Sequence, residues 1–286
     1  MTKPINIGVL GFGYLGKVLH QQFAWSENSW ATIHKSNTAD RNFLIPSNTL
    51  FFEWDQPTTW LNLPHTDHPV LITIPPVLQE RNLEKTRLIH WCQWMKDNRP
   101  EVKTIIYISS TGVYQDEAEL WTEQMIIAPD TEKGWLRLDT ETVLGEFFDT
   151  KVIRAGAIYG PGRHIGLRVL NGQVIPQGHR PVHRIHVTDL ARIVEIALSD
   201  ASFPSIVNAV DLDPASSETV VTWLFRQGFS GFDQKQKIIF REGYYSRKQQ
   251  SLAQERFISN DLLVNKLKFR FQYPTYKEGL TAIVQQ

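Results

Sequence analysis

The sequence predicts an α/β protein: a doubly wound parallel sheet with helices on its faces, followed by a smaller C-terminal lobe. Three observations carry that prediction. Short apolar runs rich in β-branched residues alternate with helically spaced apolar residues, about 20–30 residues apart. The first run is followed at once by glycines in the spacing G-x-G-x-x-G. The polar and proline residues that end the runs fall at the C-terminal edge of such a sheet, where its ligand crevice lies.

The first run, Ile5, Ile7, Val9 and Leu10, reads as a strand buried on both faces. Gly11, Gly13 and Gly16 follow, and then Leu15, Val18, Leu19 and Phe23 take up helical spacing. Strand, glycine turn and helix in this order form the dinucleotide fingerprint of a Rossmann-type sheet. Gly11 makes the tight turn, Gly13 admits a pyrophosphate to the backbone, and Gly16 lets the helix pack closely. The helix start, with Tyr14 and Leu15 beside Gly16, offers N–H groups and partial positive charge to phosphates.

The second strand reads as Trp30 to His34 and ends in His34-Lys35-Ser36-Asn37. An NAD site places a carboxylate about 20 residues past the glycines, on the ribose 2′-hydroxyl. None stands here, and Lys35 with Ser36 suits a 2′-phosphate, so NADP(H) is expected in preference to NAD(H). Thr49 to Trp54 reads as a third strand, with Asp55 either beside the adenine or simply a turn residue before Pro57. Val70 to Ile74 is a fourth, halted by Pro75-Pro76, where Pro75 borders the cofactor. A helix carrying Leu78, Leu83, Leu88, Trp91 and Met95 follows. Thr104 to Ile108 is the fifth strand and leads into Ser109-Ser110-Thr111-Gly112-Val113-Tyr114.

The totals exclude several classes. Thirty basic and thirty acidic residues give a formal net charge of zero, which argues against nucleic-acid binding. The single cysteine, Cys92, forms no intrachain disulfide or cysteine metal cluster. No apolar run approaches the roughly 20 residues of a membrane span, and no leader is apparent, so a cytoplasmic protein is expected. Core packing is the expected use of most of the nine tryptophans. No metal site is expected, although His179, His183 and His186 lie close in sequence.

By Ile108-Ser109-Ser110-Thr111-Gly112-Val113-Tyr114 the chain resembles the extended short-chain dehydrogenase/reductases, the group of NAD(P)-dependent epimerases and dehydratases. Three later stretches agree: Val152 to Arg163, Arg184 to Ala191 and Phe269 to Leu280. The resemblance implies a dinucleotide-binding domain over residues 1–164, to which 185–210 return. It implies a smaller substrate-binding lobe from 165–184 and 211–286, and a homodimer as one possible assembly.

The family's catalytic Tyr-x-x-x-Lys is missing. Aligned on Glu141, Lys133 takes the tyrosine's position and Arg137 the lysine's, so the chain reads as an atypical member. The tyrosine would exchange a proton with a carbonyl–alcohol pair while hydride passes to or from nicotinamide, and a serine would orient the oxygen. Ser110 keeps that serine position, and Thr111 adds a second hydroxyl. Ser109 and Arg137 fall among the cofactor contacts; Arg137 does not deprotonate and is no general base. Lys133 and Tyr159 are the candidate proton donors, with Tyr114 and His164 also near. Tyr114 and Arg154 read more readily as packing residues.

From His164 to His186 the chain is rich in arginine and histidine, either a solvated loop or a wall for an anionic substrate. Arg163, His164 and Arg184 are its candidate substrate contacts. Asp189 reads as the N-cap of a helix from Leu190 to Leu198, and Ser216 or Ser217 as the cap of a later one. The polar stretch Lys235 to Glu255 reads as a flap or a partner surface. The function expected is an NADP(H)-dependent oxidoreductase or epimerase/dehydratase-like enzyme acting on a small polar, anionic substrate. A non-catalytic NADP(H)-binding redox sensor or regulator is the alternative.

Overall fold

A seven-stranded sheet, in the spatial order Ile206–Ala209, Asp149–Ala155, Thr104–Ser110, Val70–Ile72, Gly8–Leu10, Trp30–Ile33 and Thr49–Phe51, forms the frame. In the computed structural model the described residues are 4–34, 46–76, 80–229, 238, 240–241 and 255–284. The sheet is built from β1 (Gly8–Leu10), β2 (Trp30–Ile33), β3 (Thr49–Phe51), β4 (Val70–Ile72), β5 (Thr104–Ser110), β7 (Asp149–Ala155) and β11 (Ile206–Ala209). The pairings of β1 with β2 and β4, of β2 with β3 and of β4 with β5 are all parallel. The strand order reverses between β1 and β4, which puts a topological switch point beside the glycine turn.

The described chain divides into two compact units. One comprises Met1–Gln115, Ile127–Arg154 and Leu190–Val207; the other comprises Asp116–Ile126, Ala155–Asp189 and Asn208–Gln286. The first passage between them falls at Gln115, and the Tyr159-to-His164 stretch lies in the second unit.

In the first unit, α1 (Tyr14–Gln22), the short α2 (Pro57–Trp60), α3 (Arg81–Asn98) and α4 (Glu132–Phe147) flank the strands. Trp30, Trp60 and Trp91 fill the core with Leu10, Ile72, Tyr107 and Val143, so tryptophan is used here for packing. Each large apolar side chain so buried contributes about 1.5–3 kcal/mol. Helix α4 starts where Thr131 caps it, the hydroxyl accepting from Gly134 N at 3.0 Å. Arg81 on α3 forms a fork with Asp139 on α4, Nη2 to Oδ1 at 2.8 Å, and lies over the Trp135 ring.

The second unit holds three parallel two-stranded ladders. They pair β8 (Ala157–Tyr159) with β10 (Arg184–His186), β9 (Ile175–Pro176) with β12 (Phe240–Arg241), and β6 (Leu120–Trp121) with β13 (Phe257–Ile258). Helices α5 (Ile165–Leu170), α7 (Ser217–Arg226) and α8 (Tyr276–Val284) complete it. Tyr159, Val220, Leu224, Phe229, Tyr276 and Leu280 make a core. Ser216 caps α7, its hydroxyl accepting from Thr219 N.

One sequence expectation fails here. Helix α6 (Val187–Ser199) begins before Asp189, so Asp189 is not its cap. The carboxylate instead accepts from Gln272 N and Tyr273 N, both at 2.8 Å, and ties the C-terminal segment to the helix start. After Ser259-Asn260 the chain makes a single π-helical turn, Leu262–Lys266. Lys268 in the left-handed region, at φ 53°, marks its end. Most of the polar stretch from Lys235 lies outside the described residues; Phe240 and Arg241 of it form β12.

A buried ion pair joins β5, α4 and β7. Arg154 Nη2 donates to Glu141 Oε2 at 2.6 Å, with the two side chains 3% and 5% exposed. Arg154 Nη1 donates to the Tyr114 hydroxyl at 3.0 Å, and Ser109 donates to Glu141 Oε1. Replacing Arg154 with Ala strands the Glu141 carboxylate, a loss of about 3–5 kcal/mol in urea unfolding. The double replacement Arg154→Met with Glu141→Leu should recover most of that loss. A single variant as stable as the parent would show that the pair carries no structural weight.

Candidate functional site

The glycine turn is clamped from both neighbouring strands. Gly11 stands at φ +96°, and a Cβ there would meet Ile74 Cγ1 at 2.7 Å and Thr73 Oγ1 at 2.9 Å. Both backbone conformation and space therefore demand glycine. Thr32 Oγ1 accepts from Gly11 N at 3.0 Å and Thr32 O from Phe12 N at 2.7 Å. On the other side Thr73 N donates to Leu10 O at 3.0 Å, and the Thr73 hydroxyl donates to Gly11 O. Thr32 and Thr73 are site-building residues that sequence reading missed, since a threonine inside an apolar run carries no signal of what it faces. A Cβ on Gly13 would meet only Gly11 O, at 4.0 Å, so the face over the helix start is open. At Gly16 the close neighbour is the Phe12 ring, at 3.0 Å. Helix α1 opens at Gly13 with Tyr14, Leu15 and Gly16 in its first turn and no side-chain cap. It presents backbone N–H groups and the positive end of its dipole, the arrangement that holds a pyrophosphate.

Lys35 and Ser36 lie outside the described residues. Asp55 is exposed in the turn before α2. Glu53, two residues earlier, was passed over by sequence reading because it arrives from β3 rather than from the end of β2. It is buried, accepts from Gln56 Nε2, and stands 3.9 Å from His34 Nε2. Pro75 and Ile74 border a cavity of about 40 Å³ with Trp54, Tyr107, Leu136 and Thr140. Tyr107 is fully buried beside it, and burial pushes its hydroxyl up to about 12, against the pull of Arg137.

At the end of β5 the chain turns sharply through one 3-10 turn, Thr111–Val113. Ser110 caps it, its hydroxyl accepting from Gly112 N at 3.1 Å. A hydroxyl that accepts one bond still has its proton to donate. Thr111 is buried beneath it. The Ser109 hydroxyl is turned inward to Glu141, so only the Ser109 backbone remains for a cofactor. Gly134 brings α4 against this turn, for a Cβ there would meet Gly112 O at 2.6 Å and Pro129 Cβ at 2.7 Å. Lys133 is exposed on the first turn of α4, and Arg137 is half-buried one turn on.

The remaining candidates belong to the second unit. Arg163, His164, Arg168, Arg184, Tyr159 and Ser217 line a cavity of about 380 Å³. Arg163 and Arg168 are exposed, whereas Arg184 is buried, with Nη1 donating to Val182 O at 2.8 Å and Ala215 O at 2.5 Å. His164 is buried with its ring edge-on to Phe229, and burial lowers its pKa. Tyr159 is also buried, and its hydroxyl donates to Thr275 O at 3.2 Å. Burial, with Asp211 and Asp189 nearby, raises its pKa far above the usual phenol range. The sequence candidates thus form two groups: Ser110, Thr111, Lys133 and Arg137 in one unit, and Tyr159, Arg163, His164 and Arg184 in the other. Among the described residues, no three His, Cys, Asp or Glu side chains cluster as metal ligands would. No described helix is long and apolar enough to cross a membrane.

No family model matches the chain, and no curated protein matches it. Solved structures do. The UDP-N-acetylglucosamine 4-epimerase of Methanobrevibacter ruminantium, complexed with UDP-N-acetylmuramic acid, superposes at TM-score 0.75 with 14% identity, over 99% of this chain and 98% of its own. The dTDP-glucose 4,6-dehydratase of Bacillus anthracis, in complex with NAD, gives 0.73 and 17% over 98% and 96%. A conserved Silicibacter pomeroyi protein of unknown function gives 0.72 and 20% over 98% of each chain. The chain has the fold of the extended short-chain dehydrogenase/reductases. The likeness covers both units, and at these identities it is a likeness of fold.

Two predictions follow from the geometry. Gly134→Ala must push the Ser110 turn away from α4, costing about 1–3 kcal/mol by overpacking. Circular dichroism melts should show a lowered Tm and an otherwise native spectrum. The second concerns pH. Burial pushes His183 and His186 down to about 4 and Asp211 up to about 8. Unfolded, these groups titrate near about 6.5 and 3.9. The two histidines therefore stabilise above pH ~6.5 and lose that contribution as pH falls toward 4. Asp211 stabilises at low pH and loses its contribution as pH rises from ~3.9 to 8. Between about pH 4 and 6.5 two histidines oppose one carboxyl; above that Asp211 acts alone. Urea unfolding free energy should peak near pH ~6.5, and Asp211→Asn should remove the alkaline decline. A parent profile flat from pH 5 to 8 would contradict these assignments.

Proposed function

We propose that the chain is an NADP(H)-dependent oxidoreductase or epimerase/dehydratase-like enzyme acting on a small, polar, anionic substrate. The observation that carries the reading is the glycine turn clamped between Thr32 and Thr73, opening onto an uncapped helix start at the switch point of a parallel sheet. Such a turn suits a dinucleotide pyrophosphate. Two epimerase and dehydratase structures of the same fold were solved with UDP-N-acetylmuramic acid and with NAD. The preference for the 2′-phosphate rests on Lys35 and Ser36, and Glu53 is the carboxylate that would oppose it.

When bound, nicotinamide supplies hydride transfer to or from a carbon bearing a hydroxyl or carbonyl oxygen. Ser110 hydrogen-bonds that oxygen, its own lone pair fixed by Gly112 N. Thr111 and Gly134 hold the turn in place. Lys133 is favoured over Tyr159 as the proton donor, because the Tyr159 hydroxyl is committed to Thr275 O and its burial opposes ionisation. Arg137 holds cofactor ribose or phosphate with a permanent charge. In the second unit, Arg163 and Arg184 line the 380 Å³ cavity and are its candidates for holding an anionic group.

The lysine in the tyrosine's position supports the second reading, an NADP(H)-binding regulator without turnover. Titration with NADPH and NADH, read by tryptophan quenching and energy transfer to nicotinamide, tests both. NADPH should bind at least tenfold more tightly than NADH, Lys35→Glu should abolish that preference, and Glu53→Gln should strengthen NADPH. A carbonyl-substrate screen at the nicotinamide absorbance then separates enzyme from regulator. For the enzyme, Ser110→Ala should lower kcat by about 10²-fold or more while NADPH affinity is kept. A folded sample that binds neither nucleotide would remove both readings.

A further inference from the structure

His164 lines the arginine cavity of the second unit and is only 8% exposed. Packing alone seats its ring. Phe229 meets it edge-on at 5.4 Å, and a Cβ on Gly166 would stand 3.0 Å from Nδ1. Nδ1 is buried and has no hydrogen-bond partner. Nε2 makes no hydrogen bond to a described residue either, yet it keeps accessible surface, so it is the nitrogen open to the cavity. A polar side chain buried to this degree ordinarily has a partner, and here only a ligand in the cavity can supply it.

The surroundings specify the ligand's chemistry. Arg184 is 7% exposed, and its Nη1 is pinned by Val182 O at 2.8 Å and Ala215 O at 2.5 Å. Its Nε and Nη2 make no hydrogen bond to a described residue and are not shut off from solvent. Arg163 and Arg168 are exposed at the same cavity, and Gln173 Oε1 holds Arg168 Nε at 3.0 Å. Ser217, which opens α7, adds a hydroxyl. No carboxylate is among the lining residues, and neighbouring Glu218 already accepts from Gly178 N at 2.8 Å. A carboxylate is filled by one arginine fork. A terminal phosphate carries nearly two charges on three acceptor oxygens and suits donors that come from several elements.

We propose that His164 is a binding residue of this cavity, and that it takes up a proton as a terminal phosphate monoester arrives, Nε2–H then donating to a phosphate oxygen. The inference rests on reading this cavity as the anionic substrate's site and names the anion. The groups facing the ring are Arg163 beside it in the chain, Arg168 on α5, Arg184 on β10, Tyr159 on β8 and Ser217 on α7. In the free protein burial lowers the imidazole pKa, and three neighbouring guanidinium groups also disfavour its charge, so the ring is neutral at pH 7. A bound dianion reverses that local field and favours the imidazolium. Each phosphate bound near neutral pH therefore draws a proton from solvent, and its affinity rises as pH falls toward the phosphate's own pKa near ~6. A carboxylate, with one charge, is matched by Arg184 and leaves the ring neutral.

The experiment is a titration with phenyl phosphate, methyl phenyl phosphate and benzoate at pH 7.5, read by imidazole nitrogen NMR, with His164→Gln assigning the resonances. Phenyl phosphate should convert His164 from a neutral ring to the imidazolium, while the diester and benzoate leave it neutral. Calorimetry in two buffers of different ionisation enthalpy should show close to one proton taken up per phenyl phosphate, lost in His164→Gln. Arg168→Gln, at an exposed position, should weaken phenyl phosphate about tenfold and leave the free His164 spectrum unchanged. A His164 ring that stays neutral with phenyl phosphate, or is already charged without it, would overturn the proposal. Phosphate held at the glycine turn does not register, because the signal is His164's own. Benzoate bound with His164 silent to phenyl phosphate removes this inference and keeps the anionic cavity; no binding of any of the three at millimolar concentration removes both. Nucleotide titration reports on the glycine turn separately. If His164→Gln does not fold, the parent's proton uptake and the Arg168→Gln comparison still decide it.

Discussion

The buried Arg154–Glu141 pair is the interaction on which the packing of β5, α4 and β7 in the first unit depends. Glu141 alone takes bonds from two elements, the guanidinium on β7 and the Ser109 hydroxyl on β5, while Arg154 also reaches Tyr114 beyond the 3-10 turn. Two charges removed from water need this many hydrogen bonds to recover their hydration. Such a pair adds little net stability relative to apolar residues of the same volume, so its use is geometric. It fixes where β5 stops, how the chain turns through Ser110 to Gly112, and how far along α4 the first turn begins. A shift in any of these moves the Ser110 hydroxyl relative to Lys133 and Arg137.

The same unit uses close approach as a second constraint. Gly11 is wedged against Thr73 and Ile74, and Gly134 against Gly112 O, so each glycine brings two chain segments nearer than a side chain would allow. One contact shapes the Gly11 turn and the other the Ser110 turn. Both stand at C-terminal strand ends, where backbone conformation rather than side-chain chemistry decides what a ligand meets.

The strands and the glycine turn were legible in the sequence because apolar runs bounded by glycine, proline and polar residues have few other solutions in a chain of this composition. The ends of those strands were less so. Ile5 forms only an isolated bridge to Trp25, and β1 begins at Gly8. Glu141 and Arg154 were each visible as charged residues in helical and strand surroundings, but their pairing depends on tertiary placement. Asp189 illustrates a local rule overruled. An aspartate before an apolar helical run is a capping signal, yet Val187 and Thr188 extend the helix past it, and the Gln272 and Tyr273 amides supply its donors. Glu53 was missed for a related reason: a spacing rule tied to β2 cannot register a carboxylate that arrives from β3.

Asp211 is the strongest case of a residue whose sequence context conceals its environment. In Val210-Asp211-Leu212-Asp213-Pro214 it reads as one of two turn acids ahead of a proline. The two are placed differently. Asp213 accepts from Lys277 Nζ at 3.1 Å near the surface, while Asp211 is drawn inward by its own backbone bonds to β10 and Asn260. A strand-end amide that must meet the Arg184 carbonyl leaves the side chain no route to solvent. That bond therefore holds a titratable group in the interior, and His183, just before β10, and His186, on it, are buried as well. Their shifts oppose one another because burial disfavours the charged form of an acid and of a base alike. The second unit thus carries a pH response set by backbone pairing, independently of any chemistry at the dinucleotide turn.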